Sequence, residues 1–127
     1  MFPHEAISEA ARGTGIKMLV LFGSRVSGRV HPHSDWDFGY LSGERGNIEL
    51  LRTRMAQLLA TDGIDLVNLA RGSALLRMQV GTEGRLIFES EPGLFVRFQD
   101  EVALFWCDVE PVLSHAYAHI LEEARSA

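Results

Sequence analysis

Two aspartates separated by one residue, Asp35 and Asp37, are the residues of this sequence best placed to do chemistry. They begin the stretch DWDFGYL, which alternates like a strand, and side chains two positions apart on a strand point to the same face. The spacing predicts two neighbouring carboxylates, with Trp36 facing the opposite layer. Adjacent anions repel each other unless a cation lies between them, and Mg²⁺ prefers oxygen ligands. We interpret the pair as a divalent-metal site.

A third carboxylate, Asp65, lies near the start of another apolar stretch, IDLVNL. Neighbouring strands of a sheet lie about 4.8 Å apart, so Asp65 would face the same metal ions if the two strands pair. Three carboxylates on adjacent strands suit phosphoryl or nucleotidyl transfer assisted by two metal ions. Asp35, Asp37 and Asp65 are therefore the candidate catalytic and metal-binding residues.

A glycine and a serine, Gly23 and Ser24, directly follow the apolar run IKMLVLF. A residue without Cβ lets backbone N–H groups approach a phosphate, and the Ser24 hydroxyl can donate to a phosphate oxygen or cap the helical turn that follows. Arg25 and Arg29 are the nearest cations, so Gly23, Ser24 and Arg25 are the candidate nucleotide-binding residues. The glycine spacing of GSRVSGRV matches a Walker A loop, but Arg29-Val30 replaces the required Lys-Ser/Thr, which excludes a P-loop NTPase.

These side chains need a sheet to position them, and the hydrophobic pattern predicts one. The order is helix, strand, strand, helix, strand, helix, strand, helix, which is typical of an α/β or α+β domain with a small mixed sheet covered by helices. The strands are predicted at Ile16–Phe22, which should be buried on both faces, at Asp35–Leu41, at Ile64–Leu69 and at Arg85–Ser90. The helices are predicted at Pro3–Arg12, from an Asn47 cap to about Ala60, at Ser73–Val80 and from Leu94 onward.

Length and composition limit the classes of protein. At 127 residues we expect a single domain over 1–127, with the catalytic sheet and its helices in 1–92 and C-terminal helices in 93–127. The net charge of −5 argues against a domain built to hold a nucleic-acid backbone, so we expect no direct nucleic-acid partner. No apolar run approaches the roughly 20 residues of a membrane span, and the N-terminus lacks the pattern of a secretory signal. Cys107 is the only cysteine, which favours the reducing cytoplasm; we expect it in the core.

The C-terminal helices are apolar on more than one face. Pro111 should kink or divide them near Glu110. The predicted core-facing stripe includes Phe95, Phe98, Val102 and Phe105. Trp106 and Tyr117 lie off this stripe, and a second apolar face on a small domain often packs against another chain. We expect this surface to bind a protein partner or a second copy of the chain, giving a homo-oligomer.

The stretch LFGSRVSGRVHPHSDWDF resembles the nucleotidyltransferase superfamily related to DNA polymerase β, whose motif is Gly-Ser, about ten residues, then Asp-x-Asp. Ten residues separate Ser24 from Asp35, and IDLV is similar to the strand with the family's third carboxylate. The whole chain resembles the minimal (MNT) branch, which has the catalytic domain and terminal helices without larger appended domains. The resemblance implies a polymerase β-like nucleotidyltransferase fold. It also implies that Gly23 and Ser24 bind the triphosphate of ATP.

By the same resemblance, Asp35 and Asp37 bind Mg²⁺, with two ions in the site, and Asp65 is the third ligand and the base. MNT proteins are typically encoded beside HEPN-type ribonuclease toxins and transfer AMP to a tyrosine of the toxin. The resemblance therefore implies a type VII antitoxin and protein adenylyltransferase. Two alternatives stay open: a small-molecule nucleotidyltransferase, like those acting on aminoglycosides, and a non-catalytic antitoxin that neutralises its partner by contact alone.

Overall fold

The computed structural model describes residues 2–27 and 35–107, and the predicted alternation of helices and strands is present there. The helices are α1 (His4–Ala11), α2 (Ser24–Ser27), α3 (Ile48–Leu59), α4 (Ala74–Glu83) and α5 (described over 94–107). The strands are β1 (Ile16–Phe22), β2 (Trp36–Ser42), β3 (Ile64–Asn68) and β4 (Arg85–Glu89). A 3-10 turn at Leu69–Arg71 follows β3.

The four strands form one mixed sheet in the order β3-β2-β1-β4. The inner strand β1 is antiparallel to both of its neighbours, β2 and β4, whereas β2 and β3 are parallel. All of β1 except Lys17 is buried, so the prediction of a strand covered on both faces is confirmed. The predicted mixed sheet with helices over it is confirmed as well.

Helices cover both faces of this sheet. One core cluster joins the sheet to α1 and α3 through Ile7, Ala11, Leu19, Leu21, Phe38, Leu51 and Met55, among others. The second cluster joins the opposite face to α4 and α5 through Met18, Val20, Phe22, Val80, Phe95, Phe98 and Val102, among others. The apolar run of β1 therefore divides by alternate residues between two cores, as the pleat of a strand requires.

Polar caps fix where three of the helices begin. The Asn47 side chain accepts from the backbone N–H of Leu50 at the start of α3, and the Ser73 hydroxyl oxygen accepts from Leu76 at the start of α4. At α5 the cap comes from the sheet. The two carboxylate oxygens of Glu89, the last residue of β4, accept from the N–H groups of Gly93 (3.3 Å) and Phe95 (3.0 Å). Glu89 thereby ties α5 to the sheet.

The strand β3 lies at one edge of the sheet, and a side chain from α3 covers part of that edge. The Nη1 atom of Arg52 donates to the backbone carbonyl oxygen of Ile64 at 2.9 Å. Since Ile64 is the first residue of β3, a charged group occupies a main-chain acceptor next to the start of this strand.

The structure corrects three expectations about local structure. The strand β2 begins at Trp36, so Asp35 lies just before the strand rather than within it. Phe105 is not part of the core-facing stripe of α5, because its side chain is exposed, whereas Trp106 is half-buried against the second core cluster. Cys107 is exposed rather than in the core.

Helical geometry explains the difference at Phe105 and Trp106. At about 100° per residue, Phe105 and Trp106 lie roughly 50° to either side of the centre of the stripe, so spacing alone does not choose between them. Packing against α4 places Trp106 inward. Pro111, Tyr117 and the rest of the predicted C-terminal helices lie outside the described residues, as does Arg29. Within 2–27 and 35–107, no helix is both long enough and apolar enough to cross a membrane.

Candidate active site

The register of the sheet brings two of the three predicted carboxylates side by side. Asp37 pairs with Asp65 across the parallel strands β2 and β3, and with Phe22 across the antiparallel strands β1 and β2. Paired residues of neighbouring strands point to the same face, so Asp37 and Asp65 share one face at the ends of their strands. Asp65 is exposed and Asp37 is half-buried.

Asp35 approaches the same place from the loop before β2. Its side chain is exposed and lies against Gly63, where a Cβ atom would come within 2.7 Å of Asp35 Oδ1. The Trp36 N–H donates to the Gly63 carbonyl at 2.8 Å, which holds the start of β2 against the start of β3. A glycine at position 63 thus leaves room for the Asp35 carboxylate beside the edge strand.

The three carboxylates are close enough to affect one another electrostatically. The pKa of Asp37 is raised above its ordinary value, first by burial, then by the negative charge of Asp65 and then by that of Asp35. A cation at this position would relieve both repulsions. The donor set consists of carboxylate oxygens, which are the ligands that Mg²⁺ takes.

These carboxylates do not enclose a metal by themselves. Within 2–27 and 35–107, no group of three or more His, Cys, Asp or Glu side chains is arranged so that it could hold a metal ion. Mg²⁺ is usually bound by one or two carboxylates together with water and substrate phosphates, rather than by a cage of protein ligands. The residues therefore fit Mg²⁺ held jointly with a phosphate group.

The turn between β1 and α2 lies directly against Asp37. Gly23 has a φ of +82°, and a Cβ atom there would lie 2.5 Å from Asp37 Oδ2. The left-handed backbone conformation favours glycine, and a Cβ here would have to displace the Asp37 carboxylate. Ser24 follows as the first residue of α2, whose turn is closed by the Val26 N–H donating to the Gly23 carbonyl at 3.1 Å. Gly23 thus lies beside the Asp37 carboxylate and Ser24 follows it in the same turn, as a phosphate-binding turn would require.

Arg25 lies on the other side of β2. Its guanidinium carbon is 4.2 Å from the centre of the Trp36 ring, and Trp36 contacts Phe2 with ring centroids 5.3 Å apart. Trp36 packs against the core cluster of α1 and α3, on the face opposite the one that Asp37 shares with Asp65. Sequence reasoning missed this contact, since no spacing rule relates an arginine to a tryptophan eleven positions later across a loop.

Comparison with known protein families identifies the fold that carries these residues. The family described as polymerase beta nucleotidyltransferase matches residues 5–92, which include Gly23, Ser24 and all three aspartates. The chain belongs to the polymerase β nucleotidyltransferase family. Among curated relatives, this nucleotidyltransferase is 31% identical over 109 residues to the protein adenylyltransferase MntA of Aphanizomenon flos-aquae (strain 2012/KM1/D3), covering 76% of this chain and 73% of that protein.

Solved structures of low sequence identity share the fold. One is a toxin–antitoxin structure with AMP-PNP, which matches with a TM-score of 0.73 and 23% identity over 94% of this chain and 99% of the other. Another holds the tri-AMPylated HEPN toxin of Shewanella oneidensis in complex with its MNT antitoxin. It matches with a TM-score of 0.55 and 21% identity over 90% of this chain and 95% of the other. The nucleotidyltransferase fold expected from the motif is confirmed.

Proposed function

We propose that this nucleotidyltransferase transfers AMP from ATP to a tyrosine hydroxyl of a HEPN-type toxin and is the antitoxin of a type VII pair acting in the cytoplasm. The observation that carries the proposal is the pairing of Asp37 with Asp65 directly beside the Gly23 turn. Similarity to the adenylyltransferase MntA supports AMP as the transferred group. The HEPN toxin complex with an MNT antitoxin supports the class of partner.

The reaction exchanges a phosphoanhydride bond of ATP for a phosphodiester bond between AMP and the acceptor oxygen. The acceptor hydroxyl oxygen attacks the α-phosphorus of ATP, the bond from that phosphorus to the bridging oxygen of the β-phosphate breaks, and pyrophosphate leaves. In our assignment the backbone of Gly23 and the hydroxyl of Ser24 hold the triphosphate. The Asp65 carboxylate accepts the proton of the attacking hydroxyl. Asp65 and Asp35 are exposed, so a side chain presented by another protein can reach them.

Metal ions fit this scheme through the same carboxylates. Asp35, Asp37 and Asp65 would hold Mg²⁺, with two ions bound when the nucleotide is present. When bound, Mg²⁺ supplies positive charge that activates the attacking oxygen and stabilises the leaving oxygens. The raised pKa of Asp37 supports this assignment, because the unneutralised cluster disfavours its own ionisation.

The proposal is tested with ATP labelled at one of two phosphates. The purified chain is incubated with Mg²⁺, a HEPN-type toxin and ATP labelled on the α- or the γ-phosphate. We expect the α-label alone to appear on the toxin, at a tyrosine located by mass spectrometry, with release of pyrophosphate. An Asp37→Asn variant is the matched control and should give no labelled toxin.

Other results would assign a different function. Labelling of an added aminoglycoside, with the toxin unlabelled, would identify a small-molecule nucleotidyltransferase. Neutralisation of the toxin's ribonuclease activity without any labelled acceptor, by the wild type and Asp37→Asn equally, would identify a non-catalytic antitoxin. Either result would overturn protein adenylylation.

A further inference from the structure

The two residues that flank Ser24 contact two consecutive residues of β2. Gly23 lies against the Asp37 carboxylate, and Arg25 stacks on the Trp36 ring. Trp36 and Asp37 face opposite sides of the strand. The turn that carries Ser24 therefore contacts β2 on both of its faces. The position of Ser24 relative to the carboxylates therefore depends on contacts on both faces of β2, that of Gly23 on the carboxylate side and that of Arg25 on the other.

The Arg25–Trp36 contact has the properties of a strong cation–π pair. Arginine over tryptophan is a favoured combination, and 4.2 Å is well inside the range of about 6 Å over which the attraction acts. The Arg25 Nε atom is shielded from solvent, and desolvation strengthens the attraction. Trp36 itself packs against Phe2 and the core cluster of α1 and α3, so the position of its ring is fixed.

We propose that Arg25 and Trp36 are positioning residues, which hold the Ser24 turn in place for the triphosphate by stacking on the far side of β2. The inference rests on the proposed function and deepens it, since it replaces the expected role of Arg25 as a direct phosphate ligand. Neither residue touches the reacting atoms. The triphosphate is held in both the bound and the transition state, so loosening the turn weakens ATP binding and leaves the chemical step nearly unchanged.

The test is a double-mutant cycle in which KM for ATP and kcat are measured for each variant. Arg25→Gln and Trp36→Leu should each raise KM about fivefold, with kcat changed less than about twofold, which is in keeping with a partly desolvated cation–π pair. The double variant should be no worse than the more affected of the two single variants, because the stacking contact is lost only once. Arg25→Lys and Trp36→Phe should recover most of the loss. Arg12→Gln is the matched control: Arg12 also stacks on a ring, that of Phe88, and should leave KM unchanged.

Three results would overturn the inference. If Arg25→Gln raises KM by the same factor with and without the Trp36 substitution, Arg25 contacts the nucleotide directly. If Arg25→Gln leaves KM unchanged, or if kcat falls instead of KM rising, the pair does not position the turn. Should Trp36→Leu fail to fold, the cycle is run with Trp36→Met, which also removes the ring, and judged by the same criterion. Failure of the wild type to transfer AMP would instead refute the proposed function.

Discussion

Asp37 is a carboxylate of the candidate active site whose environment disfavours the ionised form. Its pKa is raised above the ordinary 3.8, so the folded, metal-free protein binds this proton more tightly than the unfolded chain does. Protonation of Asp37 therefore stabilises the folded state. This stabilisation is fully present below pH 3.8 and is lost as the pH rises through the pKa of Asp37 in the folded protein. Above the folded pKa the ionised Asp37 therefore destabilises the metal-free fold.

Asp37→Asn should accordingly raise the stability of the metal-free protein and lower its activity. We expect the variant to melt at a higher temperature than the wild type at pH 7 in EDTA, with the difference shrinking as the pH falls toward 4. AMP transfer should fall more than about a hundredfold, since even outer-shell partners of metal ligands cost about 10- to 100-fold when removed. Thermal melting across pH and a pyrophosphate-release assay measure the two effects. Asp100→Asn, an exposed aspartate on α5, is the control and should change neither.

Gly23 allows a second test at the scale of single residues, because the chain contains a matched glycine. Gly13 has nearly the same φ, +83°, but a Cβ there would meet nothing within 4 Å. Gly13→Ala should cost about 1–2 kcal/mol of unfolding free energy from backbone strain alone. Gly23→Ala should cost at least as much, and should also displace the Asp37 carboxylate and lower AMP transfer at least about tenfold.

Urea unfolding and steady-state kinetics of the two alanine variants decide this point. Equal activity in both variants would mean that the contact between Gly23 and Asp37 has no part in catalysis.

At the scale of elements, the sequence predicts the helices and strands well but not the contacts between them. Periodicity and capping residues locate α1, α3, α4 and the four strands to within a few residues. The side-by-side arrangement of Asp37 and Asp65 follows only if β2 and β3 pair, and no local pattern specifies that pairing. The Arg25–Trp36 stack and the choice between Phe105 and Trp106 depend on packing between distant segments, which spacing does not encode.

The Glu89 cap is an element-scale contact with a measurable contribution. Glu89→Ala should lower the free energy of unfolding by about 1–2 kcal/mol, because two backbone N–H groups at the start of α5 lose their acceptor. Glu91→Ala is the control. Glu91 pairs with Arg97 at 3.6 Å on the surface, and an exposed ion pair contributes about 0–1 kcal/mol. Urea unfolding of both variants gives the comparison, and equal losses would show that Glu89 does not anchor α5.

At the scale of the whole molecule, α5 presents apolar side chains to solvent on the side away from α1 and α3. Leu104 is 67% exposed and Phe105 is 48% exposed. The residue expected to mark this surface, Trp106, is a poor probe because it is half-buried and its replacement would disturb the core. We predict that Leu104→Glu weakens association with the HEPN-type toxin about tenfold or more, since burying a leucine contributes about 1.5–3 kcal/mol.

The same variant should bind ATP with Mg²⁺ as the wild type does, because α5 carries none of the proposed nucleotide-binding residues. Leu58→Glu is the control: Leu58 is 42% exposed on α3, across the sheet from α5. Calorimetric titration of toxin and of nucleotide into each variant measures both affinities. Equal weakening of toxin binding by both substitutions would exclude a specific role for α5.

The guanidinium of Arg52 on the carbonyl of Ile64 has a consequence for how the chain behaves in concentrated solution. A short edge strand with a free backbone can recruit another chain into a continuous sheet, and a charge on that edge opposes this. We expect Arg52→Leu to remain folded yet to form thioflavin-binding aggregates on storage at high concentration, whereas Arg45→Leu, an exposed arginine in the loop before α3, should stay dispersed. Arg52 would then protect the edge of the sheet against association with other copies of the chain.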